Sequence, residues 1–117
     1  MSERDAHDYI PMSEAMFHVL VALADGDKHG YSIMKDVAER TDGAVQLSTG
    51  TLYGIVKRLL ADGMIVEARR RTQADGDRRR RAYTLTPFGR EVAKAEAARL
   101  TRLVAAARAA SLVPRRA

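Results

Sequence analysis

The chain has 117 residues, no cysteine, 46% hydrophobic residues and a formal charge of +5, which bounds it to one domain with a modest core. A disulfide-stapled scaffold is excluded, and no apolar run approaches the roughly 18 residues of a membrane span. The first residues, MSERDAHDY, are charged and lack the apolar segment of a secretory signal, so a cytoplasmic location is expected.

The placement of the charge says more than its size. Residues 57–81 hold nine Lys or Arg against four Asp or Glu, while the rest of the chain balances eleven against eleven. All the excess positive charge therefore lies in one stretch, an electrostatic footprint for a polyanion; a solubilising loop is the bland alternative. Sixteen arginines against four lysines suit bidentate contacts to phosphate or guanine, and equally follow from a GC-rich genome.

In chain order, residues 1–11 are polar and aperiodic and read as a flexible or loosely docked arm. Ser13 caps a helix running to about Ala24. Met12, Ala15, Met16, Val19, Leu20 and Leu23 form one apolar stripe there; Phe17, Val21 and Ala24 form a second. A helix apolar on two sides needs cover on both, from other helices or from a second subunit. DGDKHG, residues 25–30, is turn chemistry, and a second helix follows from about Tyr31 to Arg40, buried through Ile33, Met34, Val37 and Ala38. A turn over residues 41–46, containing Asp42-Gly43, leads into the next helix.

That helix organises the chain. Ser48 is an N-cap, Gly63 is a left-handed stop, and the helix spans about Thr49 to Asp62. Leu52, Ile55, Val56, Leu59 and Leu60 recur at helical spacing and face the core. The opposite face collects Gly50, Thr51, Tyr53, Gly54, Lys57 and Arg58. The two cations alone suit any solvated face, but an internal glycine costs about 0.8–1.0 kcal/mol relative to alanine, which a face serving only solubility has no reason to bear. Close approach of another molecule to the backbone gives that reason. Two short helices joined by a Gly-containing turn form a helix-turn-helix, and the second is the candidate DNA-recognition helix.

After Gly63 the period changes. Met64 to about Arg70 and about Arg79 to Leu85 read as strands joined by the Asp-Gly-rich turn of residues 72–78, with Tyr83 and Leu85 on one face. The stems carry Arg69, Arg70, Arg71, Arg78, Arg79, Arg80 and Arg81, like charges whose crowding an anion such as phosphate relieves. Thr86 then caps a last helix with Pro87 in its first turn. Ala93, Ala97, Leu100, Leu103, Val104 and Ala107 form its stripe, with Arg90, Lys94, Thr101 and Arg108 opposite. At about two dozen residues it is too long to lie wholly on so small a domain, so part of the stripe is expected to meet another subunit. No Ser/His/Asp, Cys/His or metal-ligand constellation appears, and neither an enzyme nor a cofactor is expected.

The segments HGYSIMKDV, LSTGTLYGIVKRLLADGMI and RRRAYTLTPFGRE resemble the PadR family of bacterial transcriptional regulators, over roughly Ser13 to Glu91 and in the family's order. One departure is Gly54, where many relatives carry proline after GTLY. The long final helix is similar to that of the short PadR subgroup. The resemblance implies a mainly α winged helix-turn-helix with a small β-hairpin and a C-terminal dimerisation helix. The expected layout is an arm over residues 1–11, a DNA-binding domain over 12–86 and a dimerisation helix over 87–117. It also implies a homodimer that binds a palindromic operator, usually as a repressor, and in some members releases it when a small aromatic compound binds. The expected DNA-binding residues are Ser48, Thr49, Gly50, Thr51, Tyr53, Gly54, Lys57, Arg58, Arg78, Arg79, Arg80 and Arg81. Phe17, Val21, Ala93, Ala97, Leu100, Leu103, Val104 and Ala107 are the expected dimer contacts. A winged-helix module that binds protein, and a non-specific nucleic-acid-coating protein, are the rival readings.

Overall fold

The computed structural model describes residues 4–68 and 81–114. The basic segment with Arg69, Arg70, Arg71, Arg78, Arg79 and Arg80 lies outside the described residues. Four α-helices, α1 (Glu14–Leu23), α2 (Gly30–Arg40), α3 (Thr49–Ala61) and α4 (Pro87–Ala109), enclose one core, beside a sheet of β1 (Lys28–His29), β2 (Ile65–Glu67) and β3 (Ala82–Leu85). β3 is central and antiparallel to both neighbours, with Lys28 and Glu67 both opposite Tyr83.

Local chemistry sets the helix boundaries. Ser13, Ser48 and Thr86 accept hydrogen bonds from first-turn amides of α1, α3 and α4, and Pro87 opens α4 where a missing N–H costs nothing. Thr41 closes the turn after α2 by accepting from the Val45 amide while donating to the Val37 carbonyl. Asp42 and Gly43 take the left-handed backbone that this reversal needs, and Gly63 takes it after α3. Val19, Leu20 and Leu23 of α1, Ile33 and Val37 of α2, and Leu52, Val56 and Leu59 of α3 meet Met64, Ile65, Tyr83 and Val92 in the core.

Three features add to or differ from the sequence reading. The stretch read only as a turn contains β1, whose two residues are too few to show alternation. The N-terminal segment is docked: Ala6–Tyr9 form a 3-10 helix, and Tyr9 meets Phe88 of α4 edge-on, centroids 5.4 Å apart. Arg4 lies over the same ring and donates to the Asp62 carbonyl at the end of α3. The third difference is the face that α4 turns inward. Gly89, Val92 and Glu96 are its buried residues, while Leu103 and Val104, expected to meet another subunit, are 54% and 45% exposed in this chain. Glu96, 2% exposed, accepts two hydrogen bonds from Arg99, both at 2.8 Å, and a long one from the Met12 amide. The Arg99 hydrogen bond holds the Glu96 carboxyl below its ordinary value, against the opposing effect of burial.

At 1.5 Å per residue α4 is about 34 Å long. From Thr101 to Ala110 every residue except Ala107 is exposed, so the second half of the helix extends beyond the core. Among the described residues no helix is long and apolar enough to cross a membrane.

Candidate nucleic-acid interface

α3 turns Leu52, Val56 and Leu59 into the core, and the same rotation brings Thr49, Gly50, Thr51, Tyr53, Gly54, Lys57 and Arg58 to the surface. A Cβ placed on Gly50 or on Gly54 meets nothing within 4 Å, so neither glycine makes room for another part of the chain. The outer face is bare backbone there, flanked by hydroxyls toward the helix N-terminus and by cations toward its C-terminus. Ser48 is occupied as the cap: its oxygen accepts from the Thr51 amide at 3.1 Å and its hydroxyl donates to the Thr51 side chain. Arg58 pairs with Asp62 one turn on, at 3.3 Å. Arg58 is largely exposed and Asp62 half-buried, so on the arginine side exchanging this contact for a phosphate costs little.

Beside α3 stands the hairpin base. Arg81 pairs with Glu67 across the strands at 3.1 Å, the expected anion for this arginine being an internal carboxylate in the free protein. Tyr83, opposite Glu67 in the strand register and 3% exposed, belongs to the core. Burial pushes its phenol up, the neighbouring Tyr53 and Glu67 add to this, and Arg81 opposes it. Sequence reasoning missed Glu67, whose role depends on strand register. It also missed the glycine at 30, which faces Tyr53 from 23 positions away.

The expected dimer residues divide. Phe17, Val21, Ala93, Leu100 and Ala107 are half-buried; Ala97, Leu103 and Val104 are exposed. A cleft of about 400 Å³ lies elsewhere, between the N-terminal segment and the end of α3, lined by Tyr9, Met12, Met16, Arg58 and Asp62 among others. Phe17, Val21 and Leu100 do not line it. Among the described residues no group of three or more His, Cys, Asp or Glu is placed to hold a metal.

With this geometry in view, the family model for the transcriptional regulator PadR-like family matches residues 19–95. The chain belongs to the PadR-like family. It is 38% identical over 73 residues to the transcriptional regulator Rv3488 of Mycobacterium tuberculosis, covering 62% of this chain and 63% of that protein. The chain spans 24% and 63% of the lengths of the first two curated relatives it matches. Its fold is similar to that of a PadR family transcription regulator from Clostridium difficile, with a TM-score of 0.63 and 26% identity over 79% of this chain and 94% of the other. It is also similar to Bacillus subtilis PadR, solved in complex with operator DNA, with a TM-score of 0.57 and 24% identity over 69% and 44% of the two chains. The mainly helical fold with a small three-stranded antiparallel sheet is thus the winged-helix architecture that the sequence led one to expect.

Proposed function

We propose that this PadR-family chain is a homodimeric, sequence-specific DNA-binding repressor that lays α3 in the major groove of a palindromic operator and sets its basic hairpin against the flanking phosphates. The carrying observation is the outer face of α3: two glycines with open space above them, between Thr49 and Thr51 on one side and Lys57 and Arg58 on the other. Such a face lets base edges or phosphates approach the backbone while hydroxyls and cations supply donors. The charge excess of residues 57–81 supports the same surface, since phosphate neutralisation supplies most of the sequence-independent affinity. The exposed apolar residues Leu103 and Val104, on a half-helix that extends beyond its own core, support a second copy as the dimer partner.

Selection of bound duplexes from a random pool tests the reading. A two-fold symmetric motif with half-sites about one helical turn apart is expected; enrichment of no motif refutes sequence-specific recognition. The PadR resemblance adds a small aromatic effector, tested by screening aromatic compounds for a shift in operator affinity or melting temperature. No shift across a broad panel removes that part.

A further inference from the structure

Tyr53 stands on the DNA-facing side of α3 and is 40% exposed, yet the end of its ring has a seat within the protein. A Cβ on Gly30, the buried first residue of α2, would overlap the Tyr53 hydroxyl and lie 2.8 Å from the ring carbon that bears it. Gly30 does not adopt a positive φ, so its backbone would tolerate alanine, the better helix former. What the missing side chain leaves is room for Tyr53. Gly30 directly follows β1, which pairs with β3 at Tyr83 and Ala82. The same ring end therefore lies at the junction of α2 with β1, the strand that pairs with the centre of the sheet. The upward push that Tyr53 and Glu67 exert on the Tyr83 phenol agrees with this proximity, and Glu67 in turn pairs with Arg81 at the hairpin base.

We propose that Tyr53 is a positioning residue: seated on Gly30 at the start of α2, it locks α3 to α2 and, through β1, to the sheet, so that the recognition helix and the sheet meet DNA as one rigid unit. The proposal rests on the DNA-binding reading above. It assigns the glycine of HGYS and the tyrosine of GTLY to one contact and makes α3 and the paired strands β2 and β3 energetically coupled.

Gly30→Ala is the decisive probe, because it removes no donor, acceptor or charge. The atoms in its way are the far end of one side chain, so the ring swings out and the fold persists. DNA affinity is expected to fall about tenfold for Gly30→Ala and by as much for Tyr53→Ala, while the double variant binds no more weakly than Tyr53→Ala alone. Tyr53→Phe, which keeps the ring in its seat, retains more affinity than Tyr53→Ala. The salt dependence flattens by about 0.9 log unit for each phosphate contact that is lost, although no cation has been removed. Parent-like binding by Gly30→Ala, or affinity decreases that add in the double variant, overturns the proposal. Hydrogen exchange without DNA supplies an independent arm. Exchange at Ala82–Thr84 is expected to quicken in Gly30→Ala and Tyr53→Ala, and unchanged exchange in both overturns the lock. A parent chain that binds no duplex refutes the DNA reading, and the exchange result then decides the lock by itself.

Discussion

Replacing Gly54 by alanine separates what the fold requires at that position from what its surface does. Gly54 lies in the interior of the 13-residue α3, and an added Cβ meets nothing within 4 Å. The substitution therefore neither fills a cavity nor creates a clash, and helix propensity alone sets its effect on stability. Alanine favours the helix by about 0.8–1.0 kcal/mol, which raises the melting temperature by roughly 3–5 °C in a domain of this size. The same methyl stands on the surface proposed to approach DNA most closely. If base edges or phosphates contact the backbone there, the methyl holds them away, and a loss of about 1.4 kcal/mol lowers affinity tenfold. Stability and operator affinity then move in opposite directions. Melting temperature and affinity for the selected duplex are measured on the same preparation. A variant that is more stable and binds like the parent refutes the close approach, and a less stable variant refutes the claim that the space is open.

Gly89 should behave in the opposite way. Its Cβ would overlap the Met64 carbonyl oxygen and lie 2.9 Å from Leu85, and because backbone cannot swing aside, Gly89→Ala is expected to lose about 3 kcal/mol or more in denaturant unfolding. Glu96→Ala deprives Arg99 and the Met12 amide of a buried acceptor and should cost about 1–3 kcal/mol. The folded-state pKa of Glu96 is depressed, so its contribution is full above the ordinary value of 4.5 and is lost as pH falls through the lowered value. The parent should therefore lose more stability than Glu96→Gln on acidification, and parallel curves would show that the carboxylate charge contributes nothing. Leu103→Glu with Val104→Glu should leave a monomer at micromolar concentration with its helical content intact; sedimentation as a dimer would place the interface elsewhere.

What the sequence reveals tracks how local its cause is. Ser48, Thr86, Pro87 and Gly63 act on their own helix ends, so their roles are legible from a few neighbours. The outer face of α3 is legible because a single rotation per residue generates it. The inner face of α4 is not. Glu96 reads as a polar residue between alanines, and its burial arises only when the N-terminal segment, more than 80 positions away, docks across it. Arg99, three residues on, is the available local hint, an i,i+3 pair that would hold a carboxylate against the protein. Gly30 likewise reads as part of a turn, since nothing near it in sequence shows that a tyrosine ring will occupy the space above it. Arg81 reads as a phosphate ligand in a run of arginines, and strand register instead supplies Glu67 as its partner in the free protein.

The outer face of α3 is proposed to read a DNA sequence, which is more than binding the charge of a duplex. The most direct measurement is a titration of the parent protein, at near-physiological salt, with the selected duplex and with a scrambled duplex of the same length and composition. The expected result is an affinity advantage of about a thousandfold or more for the selected duplex, with steep salt dependence for both. Equal affinity for the two duplexes at every salt concentration would contradict the claim and leave a basic surface that coats nucleic acid without reading it.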